Sequence, residues 1–407
     1  MQQSLRARAA GAVSPATAFI LPPLAVFAPL GAAPLLAVAA FAMLVLDWER
    51  CRPSAGALKT PAILLAALGL WGAASALWSI LPGHSLFEGL RFLALSAGGL
   101  VFFARALATT DEERRRISTF LMLGVILALA LLAIERFDNA PITRFWLGIP
   151  DQQGLSLTRF DRGVTVVVLM IWPLLGAAMP LWRRGVLLLA VLAIAAAMSS
   201  ATALLAALAS LAIFAVARLA PRIIAGAMIA GLLALAIAIP VAVPSYDTTV
   251  ALHQQAPWIK WSGIHRLLIW RFVADRVAER PILGWGMDSS RDMPGGKVDF
   301  STILPQLHYP SGAQQLPLHP HDAVLQWQLE LGLPGLVLGL SIVFWVIGRI
   351  GWQAPLSPSR RAGALALSIA ALTVGLLSFG VWQSWWLSTV WLSASLFAAC
   401  GPDEIVV

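Results

Sequence analysis

Residues 318–335 read LHPHDAVLQWQLELGLPG, and they hold the side chains best suited to chemistry in this 407-residue chain. Pro320 suits a first helical turn, which places His321 and Asp322 at the N-terminus of a long apolar helix. Asp322, Gln326 and Glu330 recur every four residues and share one helix face. Glu330 then lies roughly 15 Å along the helix axis, where an ionisable group needs a cavity or a partner. Histidine, with an ordinary pKa of about 6.5, can take a proton near neutral pH, so His319 and His321 are candidate bases. The plainer alternative is a pair of exposed loop histidines above a polar network that fixes helix packing.

Arginine supplies the second half of a site. Arg159 and Arg162 lie in TRFDRGVTVVV, and Arg266 and Arg271 in WIKWSGIHRLLIWRFVADRVAE, residues 258–279. A guanidinium stays charged and offers a planar fork of donors that suits phosphate oxygens. The competing explanation is loop solubility and contact with lipid headgroups. A histidine base beside arginines suits one reaction class: a deprotonated hydroxyl attacks an anomeric carbon and expels a lipid diphosphate.

The elements that must carry these residues are apolar. Hydrophobic residues make up 59% of the chain and charged ones 12%, about half the charged share of a soluble domain. Apolar runs near 20 residues recur, and they do not alternate as barrel strands do. The expectation is an all-α polytopic membrane protein with about twelve spans, near 16–28, 31–46, 60–79, 86–105, 117–136, 163–182, 185–199, 201–218, 222–243, 322–348, 362–381 and 384–400. Residues 1–243 and 322–407 form the transmembrane bundle, and 244–321 is one sizeable outer loop. Arg- and Lys-rich segments such as DEERRR set the N-terminus inside. Residues 258–279 read as an amphipathic helix lying along the membrane surface. The net charge of +8 is spread between spans as topology signals, so no nucleic-acid partner is expected. Cys51 and Cys400 are expected to be free thiols, and no Cys/His cluster has zinc spacing.

Three segments carry a resemblance: ALWSILPGHSLFEGLRFL (76–93), HRLLIWRFVADRVAERPILGWG (265–286) and HPHDAVLQWQLELGLPG (319–335). Together they resemble successive landmarks of the O-antigen ligase and polymerase family. The resemblance implies a membrane glycosyltransferase-like fold in the bacterial inner membrane, with the active site facing the periplasm. It implies a glycan donor on undecaprenyl diphosphate, membrane lipid surroundings, and no metal or cofactor. By motif position His321 takes the base role and Arg266 the leading diphosphate contact. Arg162, Arg159 and Arg271 are further donor-binding candidates, and His319 is a neighbour in the acceptor site. Two positions depart from the pattern. Asp322 stands where many members have Asn, and Ser200-Ala201 stands where many have Ser-Arg.

The acceptor is lipid A–core for a ligase or a second lipid-linked glycan for a polymerase, and a protein-glycosylating ligase is a third reading. A twelve-span transporter or flippase would show two related halves and helices broken at mid-membrane. The sequence shows neither clearly.

Overall fold

Backbone N–H and C=O groups in hydrocarbon must be satisfied within the protein, and a non-alternating apolar chain does this by coiling into helices. The computed structural model describes residues 2–52, 58–177, 179–307 and 312–401, with side chains from Arg8 onward. Among them every regular element is helical, and an isolated bridge joins Asp299 to Gln314. The principal helices are α1 (Gln2–Phe27), α2 (Ala32–Leu46), α3 (Lys59–Ala74), α4 (Pro82–Leu107), α5 (Asp111–Phe137), α6 (Asp161–Leu175) and α7 (Leu181–Ala197). They continue with α8 (Ala201–Ala217), α9 (Pro221–Ala242), α10 (Tyr246–Gln255), α11 (Trp261–Glu279), α12 (Ala323–Gly348), α13 (Pro358–Leu377) and α14 (Ser384–Cys400).

Eight of these, α1–α5, α9, α12 and α13, are long and apolar enough to cross a membrane. The other four expected spans form as α6, α7, α8 and α14, but they have only 15, 17, 17 and 17 residues. Helix α6 is buried from Gly163 to Leu174, so its neighbours α1, α5, α13 and α14 surround it. Large apolar side chains such as Phe41 and Ile237 point outward from α2 and α9, as lipid-facing residues do. Cys51 and Cys400 are buried and free.

Helix α11 forms where an amphipathic helix was expected, but its apolar face is spent on protein. Ile264, Leu268, Phe272 and Val273 share a core with Val324, Leu325 and Leu329 of α12. At the other end of the bundle Arg105 pairs with Asp47 and Glu113, each at 2.6 Å, which ties the ends of α2 and α4 to the start of α5.

The span read over 322–348 is interrupted at Gly332. This residue holds φ 63° and ψ −158° inside α12. Pro334 has no N–H to give the carbonyl of Glu330, so the helical ladder cannot pass this point intact. The turn after α11 repairs the gap. The Trp285 and Gly286 N–H groups donate to Leu329 and Glu330 at 2.9 and 2.8 Å, and Leu333 donates to Pro281 at 3.0 Å. The Trp71 indole donates to Leu331 at 3.0 Å.

A Cβ at Gly332 would meet the Ile282 carbonyl oxygen at 2.0 Å, and the positive φ is itself unfavourable for other residues. Backbone strain of this kind costs about 1–3 kcal/mol. Gly332→Ala should therefore lower the thermal unfolding midpoint in detergent clearly. Gly231→Ala, with open space around it, should not. Equal midpoints for the two variants would refute the packing argument.

Candidate active site

The backbone at the start of α12 is specialised. His321 holds φ 59°, in the left-handed region. Asp322 is the N-cap and accepts from the Leu325 N–H at 2.8 Å. The helix thus begins at Ala323, and Pro320 lies before it rather than in its first turn. The Pro320 carbonyl instead accepts from the Trp270 indole of α11 at 3.0 Å. A non-glycine residue at positive φ is a strained conformation that persists where its surroundings over-determine it.

Those surroundings assign the two rings different roles. The His321 Nδ1 faces the Ser378 carbonyl. A carbonyl only accepts, so Nδ1 carries the proton and Nε2 keeps its lone pair. The His319 Nδ1 accepts from the His321 backbone N–H at 3.2 Å, which leaves the proton on its Nε2. The ring centroids are 4.3 Å apart. One ring therefore presents an acceptor nitrogen and the other a donor.

Both rings are held neutral. Burial pushes His319 down to about 3, with the charges of His321, Arg291, Arg162 and Arg266 acting in the same direction. Burial also pushes His321 down to about 4, opposed by the Ser378 carbonyl and reinforced by Arg266 and His265. Asp322 moves the other way: burial raises its carboxyl to about 7 despite the helix N–H groups it accepts from.

Of the arginines read from the sequence, the structure brings two to this pair. Arg266 donates to Ser262 within α11 at 3.3 Å, but its Nε is buried with no acceptor. Burial disfavours its charge, and Asp161 at the start of α6 favours it. Arg162 lies over the Trp385 ring at 5.5 Å. Its neighbour Asp161 is hydrogen-bonded by the side chain of Ser200. The residue next to Arg162, rather than Arg162 itself, thus meets the Ser200-Ala201 helix start, where the family pattern has its arginine. Arg159 is exposed on the short turn Leu157–Phe160. Arg271 is engaged by Asp275, with Nε to Oδ2 at 3.1 Å. Neither contacts the histidines among the described residues.

The polar face of α12 is an interlocked network. Glu330 is fully buried and accepts from the Asp288 N–H at 2.7 Å, the Gln326 side chain at 3.1 Å, Ser290 and the Trp382 indole. Gln326 accepts from the Val381 N–H at 3.0 Å. Glu330 and Gln326 thereby grip the turn between α13 and α14, and the same turn presents the Ser378 carbonyl to His321. Gly380 lies against the His319 ring, since a Cβ there would approach it to 3.1 Å. Asp322 serves the helix start and not this network.

Several participants were missed in the sequence: Asp288, Arg291, His84, Ser378 and Trp382. His84 sits inside a recognised segment, and Arg291 is one of the outer-loop cations, but nothing local distinguishes either. His84, Glu88 and Asp288 each place a ligand-type atom within 4.8 Å of the others, a grouping able to hold a metal ion. The two carboxylates are already ion-paired, Glu88 with Arg91 and Asp288 with Arg291, so an ion would have to compete with both arginines.

Comparison with known proteins agrees with this architecture. Residues 185–340 match the O-antigen ligase family model, a stretch that runs from α7 into α12 and includes Arg266, Arg291 and both histidines. Three Rickettsia proteins, provisionally named polysaccharide ligases, are similar over most of their length. That of R. prowazekii is 29% identical over 345 residues, 83% of this chain and 80% of its own. That of R. typhi is 27% identical over 358 residues, 86% and 82%. The R. bellii protein is 26% identical over 343 residues, 83% and 79%. With its multi-pass helical body and this match over residues 185–340, the chain is similar to the O-antigen ligase family.

Proposed function

We propose that this protein transfers a glycan from an undecaprenyl-diphosphate carrier to an acceptor hydroxyl at the periplasmic face of the bacterial inner membrane. The observation that carries this reading is the pair of neutral histidines with opposite free nitrogens, surrounded by the charges of Arg266, Arg162 and Arg291. The His321 Nε2 takes the acceptor's proton. The hydroxyl oxygen forms a bond to the anomeric carbon, and the bond from that carbon to the diphosphate breaks. The electron pair leaves on the lipid diphosphate, whose growing charge the arginines stabilise. His319, with its proton on Nε2, donates to an oxygen of acceptor or donor. The ligase name of the relatives favours lipid A–core or another surface acceptor over a second lipid-linked repeat. The chain crosses the membrane about twelve times, with the shorter helices α6, α7, α8 and α14 completing the bundle.

Placement at the outer face has a geometric support. His84, near the site, and Arg105, in the DEERRR-end cluster, lie on the same helix α4. At 1.5 Å per residue they are about 30 Å apart, the thickness of the hydrocarbon core. The positive-inside tendency assigns the Arg105 end to the cytoplasm. Lys297, on the exposed side of the loop, reports on this. Lys297→Cys in a background lacking Cys51 and Cys400 should react with an impermeant maleimide in intact spheroplasts. Labelling only after lysis would invert the topology and remove the proposed site from the periplasm.

General base catalysis contributes about 10²–10⁴-fold. His321→Ala should lose at least that much glycan transfer in lipid nanodiscs while still binding donor. His319→Ala should lose less, because it removes a donor and not the base. A dead His319→Ala beside an active His321→Ala would exchange the two roles.

The pH profile follows from the shifts. A base with a depressed pKa is unprotonated through neutral pH and loses activity only as pH falls through that pKa, about 4 for free His321. A bound diphosphate brings two negative charges, which offset the arginines and raise the histidine pKa. The acid limb of kcat, set by the donor complex, should therefore lie at higher pH than the acid limb of kcat/KM at limiting donor. Coincident limbs would mean that donor charge does not reach the base.

A further inference from the structure

Asp288 is an unusual anchor. It holds φ 53°, its backbone N–H is fixed on Glu330 at 2.7 Å, and Ser289 and Ser290 beside it are fully buried. Its side chain is almost buried, and one oxygen, Oδ2, receives both the His84 Nε2 at 2.8 Å and an Arg291 guanidinium nitrogen at 2.9 Å. Arg291 itself is 44% exposed. The carboxylate is thus nearly buried while the arginine side chain it holds remains partly open to solvent. A guanidinium has five N–H donors, and this ion pair engages one end of the fork. A pair serving only packing would have no reason to bury one partner in a strained turn and leave the other outside. The Arg291 charge also reaches His319, on the opposite chain segment from Arg266 and Arg162.

We propose that Arg291 is a further binding residue for the donor's diphosphate, with Asp288 as its positioning residue and His84 steadying that carboxylate. The inference rests on the glycan-transfer reading above and extends it to a segment of the loop, the Gly286–Asp292 turn. Holding the fork at one edge preorganises the other edge for phosphate oxygens, so no rotamer freedom is lost when the anion arrives. The arrangement also joins the first sequence landmark, which carries His84, to the residues that follow the second. The alternative occupant is a divalent cation bound by His84, Glu88 and Asp288, with Arg291 displaced.

The test measures binding of geranylgeranyl diphosphate and geranylgeranyl monophosphate to the full chain in nanodiscs, with thermal unfolding in parallel. Arg291→Ala should weaken diphosphate binding about tenfold, as expected for one charge-assisted contact, with a smaller effect on the monophosphate. Arg291→Lys should recover part, because an ammonium lacks the fork. Asp288→Asn keeps the backbone bond to Glu330 and tolerates the left-handed conformation. It should weaken diphosphate binding several-fold without lowering the unfolding midpoint. Arg266→Ala is the reference. If Arg266→Ala binds weakly and Arg291→Ala binds like the unmodified protein, Arg291 is not in the site and the transfer reading stands. If the unmodified protein binds neither lipid phosphate, both readings fall. Zinc, magnesium or manganese binding that disappears in His84→Ala and restores Arg291-independent diphosphate affinity would assign the cluster to a metal and overturn the proposal.

Discussion

Where α12 opens at Gly332, the carbonyls of Leu329 and Glu330 lose their places in the helical ladder, and in a membrane protein such groups need other donors. The turn from Pro281 to Gly286 supplies them, and Trp71 of α3 covers Leu331. An unmet backbone group in hydrocarbon costs several kcal/mol, so the turn and the broken helix are obligatory partners. That requirement draws Asp288 onto Glu330 and brings Arg291 and His84 with it. Glu330 also takes the Trp382 indole and, through Gln326, the Val381 N–H. The α13–α14 turn that orients His321 is therefore built on the same break.

The electrostatics of the site depend on this rigidity. Two neutral imidazoles stand among arginines whose charges are only partly met by the protein, as the acceptorless Nε of Arg266 shows. In water such cations would be hydrated at little cost, whereas partial burial makes an arriving anion the better partner. A neutral imidazole acceptor beside cations only partly met by the protein suits an anionic ligand. The broken helix does not change this balance in favour of transport. Its freed groups are filled by the protein's own turn.

The family match ends at residue 340 and starts at 185, yet Arg162 on α6 and His84 on α4 lie outside it. Both are brought to the matched region by tertiary contact: Arg162 through Asp161 and Ser200, His84 through Asp288. The Ser200-Ala201 position is thus tied to α6 through Asp161, the neighbour of Arg162.

Much was legible in the sequence because it rests on local rules. Apolar runs determine helices, the four-residue spacing of Gln326 and Glu330 determines one shared face, and HPHD before an apolar run determines a capped helix start. The number of spans was less legible, since hydropathy does not separate the buried α6 from a lipid-facing helix. What covers residues 258–279 was not legible for a related reason: an amphipathic pattern states that one face is apolar, not whether lipid or protein covers it. Arg159, Arg162, Arg266 and Arg271 look alike in sequence, and only folding decides that Arg271 is met by Asp275 while Arg266 is left short of a partner. The sequence by itself determined the helical class, the landmarks and the histidines. The tertiary structure alone decided their tautomers, their depressed proton affinity and the role of Asp288, because these depend on carbonyls, carboxylates and cations from segments remote along the chain.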